Sequence, residues 1–136
     1  MKTLQQFIRE NKIRITVEYA DSNPNMAADD KWMQSATHYK CILKCGNRQM
    51  TVPFNQGVAI SREPTAADIL NCLASDASSI ENAGSFEDWA SEFGYSPDSR
   101  KAEKTYNICR KQAEQLSRLL GNTTAYETLL WNTERL

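Results

Sequence analysis

The chain has 136 residues, 40% of them hydrophobic and 24% charged, and a formal net charge of −1. That is one domain's worth of sequence, long enough to bury a core without disulfide or metal staples, and the mixed signs argue against global disorder. No apolar run approaches the roughly 18–20 residues that cross a bilayer, so no membrane contact is expected and the reading is a cytoplasmic protein.

The opening TLQQFIRENK predicts a short helix. Thr3 caps it, Gln6 completes a capping box, and Leu4, Phe7 and Ile8 form one apolar face; with Gln5, Gln6 and Arg9 this early, it does not read as a secretory signal. IRITVEYA then alternates, with Ile13, Ile15, Val17 and Tyr19 on the side expected to be buried and Arg14, Thr16 and Glu18 on the other. A loop follows at DSNPNMAADDKWMQS, opened by the turn chemistry of Asp21-Ser22-Asn23-Pro24, with Trp32 and Met33 available to pin it to the body. ATHYKCILKCGNRQMTVPF predicts a hairpin. Tyr39, Cys41, Leu43 and Cys45 share one face, Gly46-Asn47 makes the turn, and Met50, Val52 and Phe54 continue inward; Pro53 places the last strand at a sheet edge.

From Thr65 the period becomes helical, with Thr65 as cap, Asp68 three residues on, and Ile69, Leu70 and Leu73 as the stripe. Ser85 caps a short helix whose buried stripe is Phe86, Trp89, Ala90 and Phe93, ended by Gly94. Ser96-Pro97 opens the longest helix, which runs to Gly121 over roughly 36 Å. Its residues Ala102, Tyr106, Cys109, Ala113, Leu116 and Leu120 form a heptad-like seam better suited to packing on its own domain than to a coiled-coil dimer. A last helix is expected over Thr124 to Trp131, with Glu127 completing a capping box. The expected architecture is therefore α+β: an N-terminal helix, a three-stranded antiparallel sheet, then three to four helices including one long one. We read residues 1–136 as a single domain, sheet-rich over about 1–60 and helical over about 61–136.

Catalytic motifs are missing from this pattern. His38 is the only histidine; alternation turns it away from the buried side, where it reads as an exposed side chain. No GxSxG, GxxxxGK[ST], HExxH or GxGxxG occurs. Cys41 and Cys45 sit four apart on a strand, roughly 13 Å at about 3.3 Å per residue, too far for a shared metal or a disulfide. With Cys72 and Cys109 they read as reduced thiols. Asp21, Asp29 and Asp30 lack the spacing of a calcium loop. No metal, cofactor or reaction is implied.

Charge is distributed in blocks. Residues 1–62 carry nine basic and five acidic groups, and residues 99–118 carry six and two. Between them, residues 63–98 carry eight acids and no Lys or Arg. Two binding modes follow. Asp68, Asp76, Glu81, Glu87, Asp88, Glu92 and Asp98 can present spaced negative charge to a basic groove, unless Arg100, Lys101 and Lys104 neutralise them internally. Alternatively, Arg14, Lys40, Lys44 and Arg48 on the strands can contact nucleic acid. The order helix–strand–strand–strand–helix resembles double-stranded-RNA-binding domains in topology. However, Asp68 stands in the first turn of PTAADIL, where that family carries phosphate-gripping Lys, and an acid there repels phosphate.

The stretches VEYADSNPNM, EPTAADILNCLASD and SFEDWASEFGYSPDSRKAEKTY resemble a widespread group of small phage and prophage proteins of unassigned role. In size and acidic patterning that group is similar to anti-defence inhibitors of the anti-CRISPR type. The resemblance implies a stoichiometric binder; together with the acidic segment 63–98, the expectation is a non-catalytic inhibitor, monomeric or weakly dimeric, that binds a host protein with a basic nucleic-acid-binding surface.

Overall fold

Helix α1 (Leu4–Glu10) begins where Thr3 and Gln6 satisfy each other's backbone amides. The Thr3 hydroxyl accepts from Gln6 N at 3.1 Å, and Gln6 Oε1 accepts from Thr3 N at 2.8 Å. This exchange uses two of the donors that a helix start leaves open. The structure is a computed structural model that describes residues 1–25, 36–57, 59–96 and 98–135; the expectations for Asp29, Asp30, Trp32 and Met33 lie outside the described residues.

Three strands follow, β2 (Ile13–Ala20), β3 (Thr37–Cys45) and β4 (Arg48–Gln56), after a two-residue β1 (Lys2–Thr3) that precedes α1. They form an antiparallel sheet in the order β2-β3-β4. Gly46, at φ +62°, and Asn47 close the β3–β4 hairpin; a positive φ at the first central residue suits the right-handed twist of the strands. The register lines up Ile15, Leu43 and Met50 in one row and Val17, Cys41 and Val52 in the next. That face is covered by helices.

The helical half contains α2 (Ala66–Ala83), α3 (Phe86–Glu92), α4 (Arg100–Leu120) and α5 (Thr123–Trp131). Thr65 and Asp68 cap α2 reciprocally, and Gly84 stops it at φ +76°. Ile69, Leu70 and Leu73 of α2 join Leu116, Leu119 and Leu120 of α4 and Leu129 and Leu130 of α5. The resulting core also takes in Phe7 and the inner face of the sheet. A second, smaller cluster of Trp89, Ala90 and Ala102 fixes α3 against α2 and α4. The seam of α4 is used within the chain, as expected. Among the described residues, no helix is long and apolar enough to cross a membrane.

Several expectations are corrected. A parallel pair joins β1 to β5 (Thr133–Glu134), Lys2 opposite Thr133, and ties the two ends of the chain together. Helix α4 starts after Ser99, whose side chain accepts from Ala102 N at 3.3 Å; Ser96 instead belongs to a turn closed by Ser99 N donating to its carbonyl. Helix α5 starts after Asn122, whose Oδ1 takes Ala125 N at 2.7 Å. Gly121, at φ +80°, turns the chain so sharply that the cap falls on the next residue. Tyr19 is 75% exposed, because burial fades along edge strand β2; its ring stacks on the buried Tyr39. Phe93 is 51% exposed, because Gly94 at φ +74° folds the chain back and lets Tyr95 cover Trp89. His38 is buried, with 9% exposure. Its Nδ1 donates to Asn55 Oδ1 at 2.8 Å, and the same oxygen accepts from Asn23 Nδ2 at 2.9 Å.

Candidate functional site

Helix α3 is only two turns long, and its position comes from aromatic packing more than from its own hydrogen bonds. Ser85 accepts from Asp88 N at 3.2 Å and starts it. Trp89, 3% exposed, stacks nearly parallel on Tyr95 with ring centroids 5.6 Å apart and meets Tyr106 of α4 edge-on at 5.5 Å. Its indole N–H donates to the Ser79 hydroxyl on α2 at 3.2 Å, so the buried ring keeps a polar partner. Phe86 packs against Tyr106 at 5.2 Å.

That anchoring fixes where the acids point. Glu87, Asp88 and Glu92 are all exposed, and none of the three carboxylates has a hydrogen-bond or ion-pair partner among the described residues. No ion pair within 4.0 Å joins them to Arg100 or Lys104. Asp88 and Glu92 are an i, i+4 pair with Cβ atoms roughly 5–6 Å apart. Asp98 is exposed just beyond.

The other three of the seven candidate acids are used differently. Asp68 is tied to Arg62, with Nη1 at 2.6 Å and Nη2 at 3.3 Å, and accepts from Thr65 N at 2.8 Å. The Arg62 hydrogen bond holds its carboxyl below the usual range. Glu81 accepts from the Tyr126 hydroxyl at 3.2 Å; burial, then that acid, push the Tyr126 hydroxyl up. Asp76 is half-buried in a cleft between β4, α2 and α4, and burial raises its carboxyl. The seven candidate acids are thus one exposed group on and beside α3, two engaged in the fold, and one in a cleft.

The strand cations also separate. Arg48 lies on the helix-covered face, where Nε donates to Leu119 O at 2.8 Å and Nη2 to Leu120 O at 3.4 Å, closing the C-terminus of α4. Lys40 faces Glu18 at 3.8 Å across β2–β3. Arg14 and Lys44 stand directly opposite each other on the outer face. Arg9 and Lys12, which the sequence reading did not select, join Arg14 in lining a cleft of about 590 Å³, and among the described residues no acid lines it. Lys12 has φ +53°, a conformation that residues other than glycine rarely adopt. The missed signal was the turn after α1, which a non-glycine residue makes. Among the described residues, no group of three or more His, Cys, Asp or Glu side chains is placed to hold a metal ion.

Thiol chemistry is disfavoured by burial. Cys41 is pushed up to about 11 by burial with Glu63 adding, and Cys109 to about 12 by burial with Asp76 adding. At neutral pH both remain thiols and poor nucleophiles. No family model, curated protein or solved structure matches this chain.

Proposed function

We propose that the protein is a non-catalytic inhibitor of the phage anti-defence type. In this reading it binds a host nucleic-acid-binding or defence protein by offering the α3 carboxylates to that protein's basic groove. The observation that carries the reading is the set Glu87, Asp88 and Glu92, without a partner among the described residues and displayed on a helix held in place by Trp89. Unpaired carboxylates on a fixed frame present negative charge at set spacing without first breaking internal ion pairs. Exposed charges of this kind accelerate encounter and select partners more than they deepen affinity.

The test immobilises the chain, exposes it to host lysate, and elutes with duplex DNA. The expected eluate contains proteins that bind DNA through the surface the chain occupies. A combined Glu87→Gln, Asp88→Asn and Glu92→Gln variant should retain far less of them. Retention that neither DNA nor the triple variant reduces would contradict the reading.

A second reading rests on a separate observation, the basic end formed by Arg9, Lys12, Arg14 and the facing Lys44. Like charges placed opposite each other across a sheet are destabilising, and a phosphate between them would relieve that repulsion. In this reading the chain is a nucleic-acid-binding accessory protein. Binding to duplex or single strands should then weaken steeply with salt, and each Ala substitution should lower the salt slope by about one. No binding at low salt would remove it.

A further inference from the structure

Four segments of the chain converge on the cleft that holds Asp76. The turn at Asn23–Asn25 and the outer strand β4 form one side, and α2 and α4 form the other, enclosing about 300 Å³. Phe54, Ile69 and Leu73 contribute apolar surface, while Thr105 and Gln112 of α4 contribute neutral polar groups. Among the described residues, Asp76 is the only Asp, Glu, Lys or Arg in the lining.

The carboxylate of Asp76 has no hydrogen-bond or ion-pair partner among the described residues; only its backbone carbonyl is used, accepting from the Ser79 hydroxyl at 2.6 Å. A carboxylate that is partly withdrawn from water and unpaired costs stability unless something compensates it. Among the described residues, the neighbouring groups do not. Burial and the negative charge of Asp76 keep the thiols of Cys72 and Cys109 protonated, so neither a metal-binding thiolate nor a nucleophile is available beside it. Thr105 and Gln112 likewise have no side-chain partner among the described residues. One wall is already rigid: Asn55 is held from two sides by His38 and Asn23, the support that a preorganised site needs.

We propose that this cleft binds an alkylammonium group, with Asp76 as counter-ion, Thr105 and Gln112 as neutral acceptors, and Phe54, Ile69 and Leu73 against the methylene stem. An ammonium carries three donors on a compact head, which matches one charged and two neutral acceptors supplied by two helices. The same chemistry can arrive as a free amine or as the lysine side chain of a polypeptide. The site is separate from the α3 carboxylates and does not depend on their role.

The test is an NMR titration of the full chain, followed at the Asp76 carboxyl carbon and the Thr105 and Gln112 amides. The probes are n-butylammonium, tetramethylammonium and the capped peptide acetyl-Gly-Lys-Gly-amide. Saturable shifts with n-butylammonium are expected, with much weaker binding of tetramethylammonium, which has no N–H to donate. Asp76→Asn should weaken n-butylammonium by about tenfold or more, the loss of one charge-assisted contact. Gln112→Leu is the second variant should the first not fold, and it should weaken binding several-fold. Tighter binding of the peptide assigns the lysine source, and tighter binding of n-butylammonium the free amine. Shifts that never saturate, equal binding of tetramethylammonium, or unchanged affinity in Asp76→Asn would each overturn the proposal. The α3 triple variant should bind n-butylammonium as the parent does.

Discussion

Replacing Trp89 with Ala removes the ring that Phe93, Tyr95 and Tyr106 all contact and the donor that Ser79 accepts. Truncating a buried Trp costs about 3–5 kcal/mol. The loss falls on the small cluster of Trp89, Ala90 and Ala102, which is separate from the main core. The fold should therefore persist while α3 opens locally, because a satellite element can unfold at a lower free energy than the whole. Hydrogen exchange reads this directly. The amides of Trp89, Phe93 and Tyr95, bonded to Ser85, Trp89 and Ala90 carbonyls, should exchange about a hundredfold faster or more, at about 1.4 kcal/mol per decade. Amides in β3 and in the middle of α4 should change far less. Ser79→Ala keeps the ring and orphans one indole N–H, so it should cost about 1 kcal/mol. Unchanged α3 exchange in Trp89→Ala, or equal acceleration throughout the chain, would refute the claim that this ring holds α3 to an otherwise independent core.

The C-terminus of α4 offers a coupled pair. Gly121→Ala forces a side chain into φ +80° and puts its Cβ 2.6 Å from Arg48 Nη2, so urea denaturation should show a loss of more than about 1 kcal/mol. Arg48→Ala should cost about 1 kcal/mol through the lost helix-end contacts, and the double variant should lose less than the sum. Two acids predict opposite pH behaviour. Asp68 has its folded pKa lowered by Arg62, so its contribution is present above the ordinary carboxyl value of about 3.9 and is lost as pH falls through the folded value; Asp68→Asn should destabilise near neutral pH. Asp76 has its folded pKa raised by burial, so the stability present below about 3.9 is lost as pH rises through the folded value. Asp76→Asn should then raise the urea midpoint near neutral pH, with the gain fading in acid. Among the thiols, Cys72 alone is exposed, so a thiol reagent at mildly alkaline pH should modify it first, and equal rates at Cys72 and Cys109 would contradict the burial pattern.

Local features of this fold were legible because their partners lie a few residues apart. Thr3 with Gln6, Thr65 with Asp68, and Ser85 with Asp88 are caps closed over three positions. The β3–β4 hairpin follows from alternation on either side of Gly46. The misreadings involve distant partners. Lys2 meets Thr133, and Arg48 meets Leu119 and Leu120, contacts that no spacing rule connects. His38 was expected in water because alternation sets only the face of the strand; Asn23 and Asn55 supply the polar surroundings that let it be buried. The acidic block was visible as composition, but its division was not. Burial of Asp76 depends on how α2 meets α4 and β4, and engagement of Asp68 depends on where Arg62 lies.

The most direct test of the central claim is the rate at which the chain associates with a protein captured from the host, measured across ionic strength. The parent should associate fastest at low salt. The Glu87→Gln, Asp88→Asn, Glu92→Gln variant should associate more slowly there, and the two rates should converge near 1 M salt, where the screening length is about 3 Å. Equal association rates for parent and variant at low salt, with both folded, would show that α3 carries a solvated face and not the binding surface.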